Sequence, residues 1–257
     1  MAEWTPDGLQ LVGRWQTRGD EIGAHGTVPP TKLLSWLEHG RWCAVEQGDS
    51  LLAPLFADGN IMVVRAQRLS LGAGLGWQDR VQTGIGLVRV GNSSVEIAQS
   101  LWTDEATPRR AAELRLVGVA LGPDRRPRQL PAEFRAKAMP IEEPLSLQTL
   151  ALPELLKPDY VWQEPVRASE IDLFHHVNHA RYADWLQDAL RAAEAAGALA
   201  EPWRARKPVC GLAIDYVREI VFGETIAVAM QAQGERDLQL LVTVAGQLRA
   251  RAALRVT

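Results

Sequence analysis

The segment Glu170-Ile171-Asp172-Leu173-Phe174-His175-His176-Val177-Asn178-His179-Ala180-Arg181-Tyr182-Ala183-Asp184-Trp185-Leu186 has a counterpart 149 positions earlier, Glu21 to Leu37. The shift superposes Glu21 on Glu170, Ile22 on Ile171, Val28 on Val177, Trp36 on Trp185 and Leu37 on Leu186. Tryptophan is rare, and the match runs from a turn into a helical pattern in both places, so the chain reads as an internal duplication.

Outward from these segments the two halves keep one order of elements. In the first, Leu33, Trp36, Leu37, Gly40 and Ala44 form an apolar stripe on a helix over residues 31–46, with Pro29 and Pro30 at its start. Val81, Thr83, Ile85 and Leu87, then Val95, Ile97 and Leu101, alternate with more polar or small residues about a Gly91-Asn92 turn. This predicts an antiparallel hairpin over 80–103 with one face wet, flanked by strands at 60–71 and 112–122. In the second half, Tyr182, Trp185, Leu186, Ala189, Leu190 and Ala193 predict a helix from about 178 to 195. Strands follow at 208–219, 225–233, 237–246 and 248–256; in the last, Leu248, Ala250, Ala252, Leu254 and Val256 alternate with Gln247, Arg249, Arg251, Ala253 and Arg255.

Seven prolines punctuate residues 123–158. The domains are therefore set at 1–135 and 159–257, joined by a proline-rich crossover at 136–158. A long helix wrapped by an antiparallel sheet, made twice, defines an α+β chain of two tandem hotdog domains forming a pseudo-dimer; a sandwich or a ferredoxin-like pair gives a similar string of elements.

With 28 basic against 31 acidic side chains, no basic field points to nucleic acid. No basic, apolar leader opens the sequence, and no run approaches the roughly 18 apolar residues of a membrane helix, so a soluble cytoplasmic protein is expected. Cys43 and Cys210 lie among apolar neighbours and are expected as free, buried thiols.

Chemistry concentrates where Glu170–His179 leads into the second helix. Unpaired N–H groups at a helix start favour negative charge, so donors near His176 to Asn178 are expected to hold an oxyanion while Asp172 or a partner carboxylate activates water. The alternative is that Asp172 and Asn178 are turn and N-cap residues and the histidines surface polar groups. A zinc site from His175, His176 and His179 lacks any HExxH or CxxC support, and neither a metal nor another cofactor is expected.

The segment Asp172–Trp185 resembles the D-x-N-x-H-V-N-N-x-x-Y-x-x-W signature of acyl-ACP thioesterases, and Glu21-Ile22-Gly23-Ala24-His25-Gly26-Thr27 resembles the E-I-G-A-x-x-T turn of that family's N-terminal hotdog. The resemblance implies a thioesterase that releases free fatty acid from acyl carrier protein or coenzyme A. It implies catalytic roles for Asp172, His176 and, within Asp215-Tyr216-Val217-Arg218-Glu219, for Glu219; Asn178 is added as the nearest amide. The family's motif asparagine falls on Phe174, which can neither donate nor accept. Phe174, His175, His179, Tyr182 and Trp185 are expected to contact substrate.

In the first half Gly23, Thr27 and Pro29 stand where Asp172, His176 and Asn178 stand in the second, so that half is expected to be non-catalytic and to wall the acyl pocket, with Glu38 a minor carboxylate candidate. Arg109-Arg110, Arg125-Arg126-Arg128 and Arg204-Arg206-Lys207 are available to a pantetheine phosphate or an acidic carrier. The rivals are an acyl-CoA thioesterase and an acyl-binding module that has lost turnover through Phe174; a hotdog dehydratase lacks its G-H-F-P motif. A homodimer of the tandem chain is compatible with either.

Overall fold

The computed structural model describes residues 3–46, 52, 55–56, 59–139, 152–154, 157–199, 203 and 208–257. The chain divides into two compact units, Met1–Leu145 and Ser146–Thr257. Much of the expected crossover, residues 140–151 and 155–156, lies outside the described residues.

The first unit contains β1 (Gln10–Gln16), α1 (Pro30–Glu46), β2 (Ile61–Leu71), β3 (Arg80–Val90), β4 (Ser94–Thr103), β5 (Arg110–Leu121) and the short α2 (Ala132–Arg135). Its strands are antiparallel in the order β1-β3-β4-β5-β2. Leu33, Leu34, Leu37 and Ala44 of α1 are buried and the helix lies over β1, β3 and β4. Gly40 makes that approach close: a Cβ there would come within 2.9 Å of the Thr83 methyl.

The expected hairpin is β3–β4, but its second face is not uniformly wet. Gly84 and Gly86 are buried because Thr5 and Leu9 of the N-terminal segment lie on them; a Cβ on Gly84 would meet Leu9 Cβ at 2.8 Å. Period-two alternation does not register a covering segment that small residues admit.

The second unit contains β6 (Tyr160–Pro165), α3 (Arg181–Ala195), β7 (Val209–Tyr216), β8 (Thr225–Gln233), β9 (Asp237–Val244) and β10 (Gln247–Val256), its strands antiparallel in the order β7-β10-β9-β8-β6. Tyr182, Ala183, Trp185, Leu186, Ala189, Leu190 and Ala193 of α3 are buried, close to the expected stripe.

Three expectations are corrected here. The helix starts at Arg181, not near Asn178, because Asn178 forms a turn: its Oδ1 accepts the Ala180 N–H at 2.8 Å and its carbonyl the Arg181 N–H at 2.9 Å. Strand β7 ends at Tyr216, not Glu219, because the Val217 and Arg218 N–H groups both turn to the Arg249 carbonyl, at 2.8 and 3.2 Å. Within β10 the register against β9 shifts between Leu248 and Ala250, and Arg249, the residue in that bulge, is buried. Cys43 and Cys210 are free and half-buried, less enclosed than expected.

Candidate active site

A tight turn carries the cluster. Asp172 N–H donates to the His176 carbonyl at 2.9 Å, and His175 N–H to the Asp172 carbonyl at 3.0 Å. His175 closes the turn in the left-handed region, φ +65°. The first unit builds the same turn 149 positions earlier: Gly23 N–H donates to the Thr27 carbonyl and Gly26 N–H to the Gly23 carbonyl, both at 2.9 Å, with Gly26 at φ +76°. The backbone is duplicated, while the reactive side chains occur in the second copy alone.

The turn brings Asp172 and His176 together, Asp172 Oδ1 lying 3.5 Å from His176 Nδ1. Asp172 Oδ1 also accepts the Phe174 N–H at 2.9 Å, which fixes the carboxylate. His176 Nδ1 lies 3.3 Å from the Val177 carbonyl. A carbonyl can only accept, so in that contact Nδ1 is the donor. The Phe174 ring stacks on the imidazole, centroids 5.9 Å apart and planes at 29°.

Glu219 is exposed and lies in the loop after β7. That loop is tied to the turn, since Val177 N–H donates to the Ile220 carbonyl at 2.8 Å. The backbone thus sets Glu219 and His176 on residues adjoining one hydrogen bond.

Two of the expected oxyanion donors are already engaged. Val177 N–H is spent on Ile220, and Asn178 N–H donates to the Glu170 carbonyl at 2.9 Å. Neither can serve a substrate. The Asn178 Oδ1 is held by Ala180, so any donation from this side chain comes from its NH2 group.

Of the remaining expected site residues, His175 is exposed at the tip of the turn, and the His179 carbonyl accepts the Tyr216 hydroxyl at 2.8 Å. Tyr182 and Trp185 are buried, their rings 5.0 Å apart, and Tyr216 meets Tyr182 edge-on at the same distance. Burial raises the Tyr182 hydroxyl well above the usual phenol range; Arg249 opposes this, and Glu224 and Glu219 add to it. Glu38 is half-buried on α1. Arg109 and Arg110 pair with Glu105 and Glu113, while Arg204, Arg206 and Lys207 lie outside the described residues. Among the described residues, no three His, Cys, Asp or Glu side chains are grouped to hold a metal ion, and no helix is long and apolar enough to cross a membrane.

The sequence profile of the acyl-ACP thioesterase C-terminal domain matches residues 156–254. Among solved structures the chain is similar to a 12:0-ACP thioesterase from Umbellularia californica, at 15% identity with a TM-score of 0.76, covering 95% of this chain and 96% of that one. It is also similar to an acyl-ACP thioesterase from Bacteroides thetaiotaomicron, at 16% identity and a TM-score of 0.74, covering 95% and 97%. No curated protein matches the chain significantly in sequence. The solved structures show the fold, a double hotdog, and the profile adds a likeness to the acyl-ACP thioesterase C-terminal domain in the second half. The profile match lies within the second unit and covers less than half of the chain.

Proposed function

We propose that the protein hydrolyses fatty acyl thioesters carried on acyl carrier protein in the cytoplasm, releasing free fatty acid. The observation that carries this is the Asp172–His176 contact inside a turn whose next residue, Val177, is bonded to the Glu219 loop. Water attacks the thioester carbonyl, its proton passing to Asp172 or Glu219 with His176 assisting through Nε2. The C–S bond breaks as the tetrahedral intermediate collapses, and the departing thiolate takes up the proton. The Asn178 NH2 group is the candidate donor to the developing oxyanion.

Phe174, His175 and His179 flank the substrate in this reading, while Tyr182 and Trp185 shape the site from within the core. The turn of the first unit, with Gly23 and Thr27 in the places of Asp172 and His176, offers neither that carboxylate nor that imidazole.

Thiol release from matched acyl-ACP and acyl-CoA substrates of increasing chain length tests the proposal, with His176→Ala and Asp172→Asn as controls. Both variants, folded by circular dichroism, are expected to lose roughly 100-fold or more in kcat. Faster release from CoA than from carrier protein makes CoA the carrier. Full turnover in both variants overturns the site. Tight acyl-thioester binding with no release favours the acyl-binding reading, which the Phe174 departure supports. A homodimer of the tandem chain is compatible with this function, and sedimentation of the purified protein reads it directly.

A further inference from the structure

Arg249 and Glu224 form an ion pair at the edge of the site that the reaction does not use. Glu224 Oε1 accepts from Arg249 Nη2 at 2.8 Å, and Arg249 is only 8% exposed. Each partner also holds backbone of the loop between β7 and β8. The Arg249 carbonyl accepts the Val217 and Arg218 N–H groups, and Glu224 Oε2 accepts the Val221 N–H at 2.9 Å. The loop is therefore gripped at its start by the main chain of Arg249 and at its end by the side chain that Arg249 holds. Between these ends lie Glu219 and buried Ile220, whose carbonyl holds Val177 next to His176.

The bulge explains why one residue can do both. An extra residue in β10 turns its carbonyl to two successive N–H groups and re-aims its side chain into the unit. A bare carboxylate at position 224 or a bare guanidinium at 249 would be costly in this setting, so the pair locks as a unit.

We infer that Arg249 is a positioning residue: through Glu224 and the 217–224 loop it fixes Glu219 and the His176 turn in register. The inference rests on the proposed thioesterase reading for its kinetic consequence, though not for its structural one. Displacements of about 1 Å in such a frame cost on the order of 100-fold in rate while leaving ground-state binding largely intact.

The test uses the full chain with Arg249→Met, Arg249→Lys and Glu224→Gln, and with Arg255→Met as a control. Arg255 lies on the same strand in an ion pair with Asp237 away from this loop. Two readouts are taken: kcat and KM for acyl-thioester hydrolysis, and amide hydrogen exchange at Val177. Arg249→Met is expected to lower kcat about 100-fold with KM within about twofold, Arg249→Lys to fall between it and wild type, and Glu224→Gln to follow the same direction. Val177 exchange is expected to accelerate at least tenfold in Arg249→Met and not in Arg255→Met. Unchanged Val177 exchange in both Arg249→Met and Glu224→Gln overturns the inference whatever the activity. So does a loss of kcat that merely tracks the unfolded fraction. Should the wild-type protein cleave no thioester, the proposed function fails while the exchange measurement still decides the clamp.

Discussion

The Glu170 carboxylate accepts the indole N–H of Trp185 at 2.9 Å, and in the other unit Glu21 accepts that of Trp36 at the same 2.9 Å. Each glutamate closes a 3-10 turn by also accepting a main-chain N–H three residues back, from Arg167 at 2.8 Å and from Arg18 at 2.9 Å. The residues whose identity first betrayed the duplication are thus partners in one bond that fastens the turn before each long helix to that helix. The repeat is retained at the fastening and abandoned at the chemistry.

This bond is strong where it is buried. Trp185 is 1% exposed, whereas Trp36 is only half-buried. Trp185→Phe strands an acceptor of the Glu170 carboxylate and removes packed volume, and is expected to cost about 2–3 kcal/mol. Trp36→Phe is expected to cost roughly half as much, because water can replace the lost donor. Urea unfolding of the two variants, read separately in each unit by the remaining tryptophans, checks the ranking.

Glu21 also gives acid dependence. Burial alone would raise its carboxyl, but the Arg18 N–H, the Trp36 indole and the Arg18 guanidinium outweigh it and hold the group below the usual carboxylate range. Its stabilising contribution is therefore complete above the unfolded carboxyl pKa of about 4.3 and is lost as pH falls through the lower folded value. Glu21→Gln is expected to be less stable than wild type at about pH 7, with the gap closing toward about pH 3. Urea midpoints at both pH values decide this; a gap that widens in acid refutes it.

His175 sits at φ +65°, where the first unit has Gly26 at φ +76°. A histidine pays a steric cost in that region that glycine does not, partly offset by glycine's greater freedom in the unfolded chain. His175→Gly is expected to stabilise the protein by about 0.5–1 kcal/mol, read as a higher unfolding midpoint. In its proposed substrate-facing role the imidazole is retained despite that strain, so the same variant is expected to raise KM severalfold at nearly constant kcat.

Helices α1 and α3 and the hairpin β3–β4 were legible because one apolar stripe or one alternation decides each. The turn that brings Asp172 and His176 together was legible because those residues are close in sequence. What escaped depends on residues far apart in the chain. Thr5 and Leu9 cover Gly84 and Gly86 across more than seventy positions. Arg249 alternates with the apolar residues of β10, and a single bulge buries it. Two of the donors expected near His176, the Val177 and Asn178 N–H groups, are taken by Ile220 and Glu170, partners that a linear reading of the turn does not supply. A β-bulge leaves almost no local signature, and Arg249 is one of three arginines in that strand, so nothing local marks it as the partner of Glu224.

Phe174 stands where the acyl-ACP thioesterase signature that Asp172–Trp185 resembles carries asparagine. Its side chain offers no hydrogen bond, yet its ring covers the His176 imidazole at 5.9 Å and 29°, and its main-chain N–H fixes the Asp172 carboxylate at 2.9 Å. The second contact survives any side-chain change; the first does not. Phe174→Leu keeps an apolar group but removes the planar face, leaving the imidazole free to leave its rotamer, and is expected to lower kcat about tenfold with KM within about twofold. Phe174→Tyr keeps the face and should retain most of the activity. Phe174→Asn loses the face but gains a donor beside the reacting carbonyl, so its kcat should lie above that of Phe174→Leu. Steady-state thiol release for the three variants separates these contributions, and wild-type turnover in Phe174→Leu would mean that the ring does not hold His176 in place.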